Sequence, residues 1–537
     1  SAGHTQPDFF IFRGENYEED PFSFLRPSSQ NAEPNPMPFP ILLTVLSTFP
    51  SSIEHKKIRY RNWSREIDAI LWCTYPGSVF QVLEIVNWAR NVGVRVHASG
   101  HRRSWVPLAV HKNDTDVILI STQYLTSMKV ISNTTGDSSF WVEPGIFMED
   151  LLKRLEEDSL TVSVIPSIGR ITLGGALAIS AHSTGVPITG EILQPGHTYG
   201  SLSNLIIGFT AVVYDQDLDM YTVKRLHRSD PDSSAIITNR SGRSFITNLT
   251  LRAGPLQWYE CLSITNIPAH ELFALSVPKT LTGILEGTGR LEAIWFVHSQ
   301  YPWLKIWNLT DMKPRSSREV TSPNNYPFAN MTKLQSSAWT KMYGRFRAEI
   351  INRSLTVERT KDIWGTGRNT FLLEVEVRVT GLDHPEHVLI KNSTTPAFSS
   401  LNPVRERPDW DVGIFFSVLT THGTPGMYDF YRELEEFYFR NFNSNWSTVR
   451  PEWCKGWGYT NNDGWSNETI LKNLKTLGKF SGWDEAFKVL QSYDPFGVFS
   501  GSSTNMFLKL DNNTSAPQIL PNLEWATDTM FKVSETQ

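Results

Sequence analysis

Two kinds of residue pattern in this chain could do chemistry. The first is a pair of turn segments, "PSIGRITLGGALAISAHSTG" and "PGHTYGSLSNL". They combine Gly, Ser, Thr and His between apolar runs, around Pro166, Gly169, Thr172, Gly174, Gly175, Ala176 and His182, then Gly196, His197, Tyr199, Gly200, Ser201 and Ser203. Backbone N–H groups in such turns can cradle phosphate oxygens without a cationic side chain. The plainer reading is two tight turns packed on a sheet. The second pattern is "EVEVRV", where Glu376 and Arg378 are two residues apart. On a strand that spacing puts both on one face and Val375, Val377 and Val379 on the other. A neighbouring guanidinium keeps a carboxylate ionised, so Glu376 could accept a hydroxyl proton. Read by itself, such a strand is more often a solvated face.

The elements around these residues suggest an α+β chain in four stretches. Residues 1–55 are irregular and proline-rich, with prolines at 27, 34, 36, 38 and 40, and read as an arm over the surface. Residues 56–255 carry a first domain. There "FQVLEIVNWARNVG" has helical spacing with a Gly93 stop, "VRVHA" and "DVILIST" read as strands, and "MEDLLKRLEED" as an amphipathic helix. Residues 256–484 change texture: "LEVEVRV" and "GIFFSVL" alternate like strands, and "MYDFYRELEEFYFRNF" is helical. Residues 485–537, with "YDPFGVFSG", read as a return to the first domain.

Composition narrows the function. The 537 residues are 40% hydrophobic and 20% charged, which describes a folded globular chain and excludes wholesale disorder. A net charge of −5 gives no argument for nucleic-acid binding. The motifs G-x-G-x-x-G after a strand, P-loop, G-x-S-x-G and H-E-x-x-H are all missing, so Rossmann dehydrogenase, NTPase, α/β-hydrolase and zincin readings lose their support. No Cys/His cluster suggests a metal site, and no apolar run is long enough to span a membrane.

The compartment is signalled by Asn-x-Ser/Thr sequons at Asn62, Asn113, Asn133, Asn239, Asn248, Asn308, Asn330, Asn352, Asn392, Asn445, Asn467, Asn512 and Asn513. Their density points to a secreted, N-glycosylated protein, and the start at Ser1 reads as a chain whose leader has been removed or omitted. Glycans would limit self-association to a monomer or small homo-oligomer. Three cysteines, Cys73, Cys261 and Cys454, allow at most one disulfide.

Several longer stretches, among them "GGALA", "PGHTYGSLSNL", "EAIW", "KIW", "VEVRVTGLD", "PDWDV", "GTPGM", "FYRE" and "RPEWCKGW", resemble the flavoenzymes of the vanillyl-alcohol-oxidase superfamily. Within it the chain is similar to bacterial cholesterol oxidases of the class with covalently bound FAD. The resemblance implies a two-domain vanillyl-alcohol-oxidase-type (PCMH-type) fold, with a substrate domain whose sheet covers the flavin. It implies an FAD pyrophosphate along Ser99, Gly100, His101, Arg102, Arg103, Ser104 and Trp105, with the two turn segments completing the cradle. It also implies catalytic roles for Glu292, Glu376 and Arg378, a flavin-side cation at Lys455, and a small apolar alcohol such as a sterol as partner.

The sequence departs from that pattern at three places. Without a gap, Arg103 stands where the family has the histidine that bonds covalently to the isoalloxazine ring, and arginine stays protonated and is not nucleophilic. A small register shift would put His101 there instead, so the FAD is expected either linked through His101 or held without a covalent bond. Ser417 stands where the family has an asparagine near the substrate hydroxyl. The stretch between "DIWG" (362–365) and "VEVRV" is shorter than in the family. Two functions therefore compete: a secreted FAD-dependent oxidase turning a CH–OH group into a carbonyl with O2 and releasing H2O2, and a catalytically degenerate flavin-, lipid- or pigment-binding protein on the same scaffold.

Overall fold

The computed structural model describes residues 45–500 except 65, 112–113, 115–116, 135, 167–168, 241, 276–278, 297–299, 316, 318–373, 420–425 and 444. Most of the proline-rich arm, "DIWG", most of "GTPGM", and Asn113, Asn330, Asn352, Asn512 and Asn513 lie outside the described residues.

The first unit opens with β1 (His55–Arg61), β2 (Asp68–Thr74), β3 (Arg95–Ser99) and β4 (Val117–Ser121). They form one sheet in the order β1-β2-β4-β3, with β4 parallel to both neighbours. A strand in the middle of a covered parallel sheet has no wet face, which is why all five residues of β4, "VILIS", are apolar or small and buried. The helix Val79–Val92 covers this sheet. Its first turn is capped by Ser78, whose hydroxyl accepts from the Gln81 N–H, and it ends at Gly93 in the left-handed region (φ 73°). Val82, Ile85, Val86 and Ala89 recur at three- and four-residue spacing and form its buried face. Leu46, Phe49 and Ile53 pack into the same core, so the described end of the arm is a buried part of the first unit.

A second, antiparallel sheet holds β5 (Met128–Thr134), β6 (Asp137–Val142), β8 (Ile206–Asp215), β9 (Met220–His227) and β10 (Phe245–Pro255), in the order β5-β6-β10-β8-β9; the two-residue β7 (Leu160–Thr161) pairs with β10. The turn segments bridge its elements: Thr172 caps the short helix Leu173–Ala178, and a turn of 3-10 helix at Leu202–Leu205 leads into β8.

The second unit is an antiparallel sheet of β11 (Trp258–Ile264), β12 (Leu291–Phe296), β13 (Trp303–Thr310), β14 (Glu374–Gly381) and β15 (Val412–Leu419), ordered β11-β13-β12-β14-β15. Leu291, Ala293, Leu304, Ile306 and Val377 bury its far side with Ile267 and Leu272. The helix Met427–Phe442 covers the β15 end, where Met427 and Phe430 meet Val418.

The chain then returns. The helix Trp483–Tyr493 leads to Asp494–Ser500, where Val96 N–H of β3 donates to Val498 O at 2.8 Å and Val498 and Phe499 join the core under the first helix. The expected return segment therefore docks on the first unit.

Candidate functional site

The glycine-rich segments converge at the end of the parallel strands. A methyl on Gly100 would meet Thr172 Oγ1 at 2.3 Å, so the loop after β3 lies against the segment that caps helix Leu173–Ala178. Gly196 turns at φ 84°, where a side chain would meet Ala253 O at 2.1 Å, which requires glycine. Next to it, His197 Nε2 donates to Pro255 O at 3.0 Å. On the opposite side, Ser201 N–H and Oγ donate to the buried Asp383, at 2.8 and 3.1 Å, and Asn204 Nδ2 donates to Tyr199 O at 2.9 Å. Ser203 N–H donates to Ser201 Oγ at 3.3 Å. Pro166, Gly169, Gly174, Gly175 and Ala176 line the turn before and within the short helix, with Gly175 N–H donating to Thr172 Oγ1 at 3.4 Å.

These loops fit a dinucleotide. Two buried oxygens on them or beside them, Thr122 Oγ1 and Asn204 Oδ1, have no hydrogen-bond partner among the described residues. Orphaned buried groups of this kind call for a partner, and a bound polar ligand or ordered water supplies one. Thr122 N–H also donates to Ser99 O, at 3.2 Å, which places that hydroxyl at the mouth of the loop from Ser99 to Trp105.

Within that loop the two arginines turn onto the β1–β2 hairpin. The Arg102 guanidinium lies 5.4 Å from the Tyr60 ring centroid and donates to Arg59 O at 3.3 Å; the Arg103 guanidinium lies 4.3 Å from the Trp63 ring. Both are thus engaged with rings. His101 is set edge-on to Phe147 with ring centroids 5.0 Å apart. Desolvation, with Arg103, Arg170 and Arg102 nearby, holds it down to about 4, so its imidazole is neutral at pH 7. Ser104 Oγ donates to Val106 O at 2.9 Å, and Trp105 N–H donates to Cys454 O at 3.0 Å, tying the loop to the segment that carries Lys455.

The cradle is pinned to the second sheet. Thr184 Oγ1 is shared between Leu291 O of β12 and Val379 O of β14, at 2.6 and 2.9 Å, and Gly185 bridges Thr380. His182 stacks on Phe415 of β15 with centroids 3.8 Å apart and planes 18° apart, while its Nδ1 donates to Ser183 O at 2.9 Å. Burial and then Arg378 lower His182 to about 4, so it too is neutral.

Register brings the chemistry-bearing residues of the second sheet together. Glu292 on β12 faces Arg378 on β14, Glu376 faces Ser417 on β15, and Arg378 faces Phe415. The Glu376–Arg378 pair is therefore a largely covered face rather than a solvated one, with side chains 18% and 14% exposed, and Val377 and Val379 are buried on the other side. Arg378 Nη2 lies 3.3 Å from Glu376 and 3.6 Å from Glu452, and donates to Ser417 Oγ at 3.1 Å. Ser417 Oγ in turn reaches Glu452 Oε2 at 3.5 Å. Lys305 on β13 pairs with Glu292 Oε2 at 3.2 Å. Lys455 rests 5.1 Å from the Trp105 ring.

The cluster separates its carboxyl groups. Burial, reinforced by a hydrogen bond with Glu376, pushes Glu292 up to about 7. Burial acts upward on Glu376 too, but Arg378, the Glu292 hydrogen bond and Lys455 outweigh it and hold it at about 2. Glu452 is also held below its ordinary value: Arg378 and Lys455 outweigh its burial. A carboxyl poised near neutrality beside an ionised one is the arrangement that distinguishes an acid–base group from its electrostatic partner. Burial and Glu452 push the Cys454 thiol up to about 12, so it is not a nucleophile at neutral pH.

A cavity of about 230 Å³ opens beside Ser417 and Glu452, the two residues that Arg378 contacts. Ser417, Glu452 and Lys455 form one end; Leu434, Phe439 and Ile470 are among the apolar residues of the rest. Glu452 and Lys305 were missed in the sequence, although they lie inside the quoted "RPEWCKGW" and "KIW". Among the described sequons, Asn133, Asn392 and Asn445 are exposed, and Asn248 and Asn308 are half-buried on strands. Asn62 is 3% exposed, with its Nδ2 donating to Trp105 O and Ser64 Oγ, and Asn239 is 7% exposed. Asn467 Oδ1 caps the helix Glu468–Leu477. The three cysteines are free thiols, none paired with another. Among the described residues no helix is long and apolar enough to cross a membrane.

Comparison with known proteins agrees with this geometry. Residues 72–214 match the FAD binding domain family, and residues 258–373 and 369–509 match the substrate-binding domain of cholesterol oxidase. A solved structure titled solvent-stable cholesterol oxidase is 31% identical, with a TM-score of 0.76, over 86% of this chain and 99% of that one. The crystal structure of cholesterol oxidase from B. sterolicum is 29% identical, with a TM-score of 0.76, over 86% and 98% of the two chains. L-gulonolactone oxidase of Mus musculus is 22% identical over 49% of this chain and 54% of its own length, and that of Scyliorhinus torazame is 24% identical over 45% and 49%. The chain thus spans about half the length of these curated relatives. With its FAD cradle docked on a cholesterol-oxidase-type substrate sheet, the chain belongs to the cholesterol oxidase family of FAD-binding flavoproteins in the vanillyl-alcohol-oxidase superfamily.

Proposed function

We propose that this protein is a secreted, N-glycosylated oxidase that converts the CH–OH group of an apolar, sterol-like alcohol into a carbonyl. The observation that carries the reading is the Glu292–Glu376–Arg378 cluster, held against the FAD cradle by Thr184 and His182 and linked by Ser417 and Glu452 to a mostly apolar cavity that those two residues line. Ser99 to Trp105 and the two turn segments would hold the cofactor. Bound FAD supplies a two-electron acceptor whose reoxidation by O2 yields H2O2.

The residues divide the remaining work. Glu292 takes the hydroxyl proton, because its pKa lies near neutrality whereas Glu376 is too weak a base. Glu376 and Glu452 keep Arg378 in place, and Arg378, through Ser417, orients the substrate oxygen. Leu434, Phe439 and Ile470 exclude water around an apolar body. With Arg103 committed to Trp63, the FAD is held without a covalent bond. Acid precipitation should release the yellow colour to the supernatant; colour retained in the pellet would instead assign a link, through His101.

The deciding assay is peroxide release with cholesterol, other sterols, long-chain alcohols and sugar lactones. Peroxide from sterols supports the reading, and silence across all four classes overturns it. The second reading, a degenerate flavin-, lipid- or pigment-binding protein, draws on Arg103 and Ser417. Native mass spectrometry of protein from its source tests it, a clean apo mass being the result against a carrier.

A further inference from the structure

Lys305 lies one strand away from the residues matched to chemistry. It is directly opposite Glu292 in the β12–β13 register, with Nζ 3.2 Å from Glu292 Oε2. Its ammonium also rests 4.1 Å from the ring centroid of Trp303, two residues earlier on the same strand face. The pair is largely withdrawn from water: the Lys305 side chain is 21% exposed and that of Glu292 9%. The groups facing Glu292 are Glu376 and Arg378 from β14, Lys305 from β13 and the Cys261 thiol from β11. Beyond them, Lys455 and Glu452 of the 450–457 segment face Glu376 and Arg378.

Arg378 is already committed, to Glu376, Glu452 and Ser417. Lys305 is the ion-pair partner that the structure gives Glu292. A buried carboxyl that shares a proton with a second carboxyl drifts toward the neutral form unless a cation opposes it. A neutral Glu292 has no room for a substrate proton. Trp303 keeps the cation from swinging away, since an ammonium held over an indole face is favoured where water is scarce.

We propose that Lys305 is a positioning residue that fixes the Glu292 carboxylate and keeps it in its proton-accepting form. The inference rests on the oxidase reading for its purpose but not for its test. Removing the charge should make Glu292 harder to ionise by about one to two pH units. Lys305→Met keeps the length of the side chain and its packing on Trp303. Lys305→Gln removes the charge but keeps a donor toward Glu292, and Lys305→Arg restores the charge.

The measurement is a pH-difference infrared titration of purified protein, following the carboxyl stretch abolished by Glu292→Gln. Thermal unfolding and bound-flavin absorbance serve as folding controls. In the parent protein that band should titrate near neutrality, move up by about one to two units in Lys305→Met and Lys305→Gln, and return in Lys305→Arg. The acidic limb of kcat/KM for peroxide from cholesterol should move the same way. An unmoved band in either folded variant overturns the assignment. A moved band with no peroxide from cholesterol upholds Lys305 and sinks the substrate reading instead.

Discussion

Arg378 and Arg240 are both largely withdrawn from water, and in opposite ways. Arg378, in the second sheet, is met by the carboxylates of Glu376 and Glu452 and by the Ser417 hydroxyl. Arg240, beside the return helix, is enclosed by Phe398, Trp453 and Trp483, with their ring centroids 4.9, 4.5 and 4.9 Å from its guanidinium. The first environment pushes its arginine up through the carboxylates; the second lowers its arginine to about 9 through burial. The contrast separates two uses of a buried cation. Among carboxylates it divides protons unequally and so creates a group able to exchange one near neutral pH. Among ring faces it welds elements together and leaves nothing to titrate in the working range.

The sharpest way to break this comparison is to remove each cation. Arg378→Met leaves Glu376 and Glu452 buried without their partner and should cost about 3–5 kcal/mol in chemical unfolding, with loss of peroxide production. An Arg378→Met protein as stable as the parent would mean that the cluster is wetter than its burial indicates. Glu292→Gln should leave stability near the parent value at about pH 4.5, where Glu292 is neutral, and lower kcat at neutral pH by about 10²- to 10⁴-fold, measured by peroxide release, since it deletes the proton acceptor alone.

The next effect is the pH dependence of stability. Glu292 is raised in the folded protein, from 4.5 to about 7, so its contribution is fully present at low pH and is lost as pH rises through that window. Glu376 is lowered to about 2, so its contribution is present above about 4.5 and is lost as pH falls toward 2. Between pH 4.5 and 7 the unfolding free energy should therefore decline by about 1–3 kcal/mol from Glu292. Glu435, which burial raises to about 7, adds a decline of the same sign. Glu292→Gln should shallow this slope, measured by urea unfolding at a series of pH values, whereas Arg240→Met should leave it unchanged. The smallest change expected is Arg240→Met itself, about 1–2 kcal/mol with peroxide output within about twofold, because lost ring contacts are partly offset by relief of a buried charge.

What the sequence disclosed follows from the range of each interaction. The helix Val79–Val92 with its Gly93 stop, the buried strand Val117–Ser121, and the shared face of Glu376 and Arg378 depend on neighbours a few residues away, and all were legible. Membership of the flavoprotein family was legible too, because its motifs are long and numerous. The pairing of Lys305 with Glu292 depends on strand register, and Glu452 reaches Arg378 from 74 positions away in the chain, so neither has a local signal. The rings that take up Arg102 and Arg103 belong to a hairpin some forty residues earlier, which a basic tripeptide cannot announce. Likewise the letters of a sequon say nothing of exposure: Asn62 spends its amide on Trp105 O, 43 residues along the chain, and Asn467 caps a helix.

The return segment carries a consequence for how the chain is made. Asp494 accepts from Tyr221 Oη at 2.5 Å and from the N–H groups of Val498 and Phe499, at 2.8 and 3.1 Å, and Val498 completes the hydrogen bonding of β3. The core begun near residue 46 is therefore left open until the segment near residue 498 leaves the ribosome. At about 5–20 residues per second, the interval between β3 and its closing segment is roughly twenty to eighty seconds. Throughout it the apolar strand Val117–Ser121 and its neighbours have to be shielded, while the intervening sheet assembles as an insert within an unfinished domain.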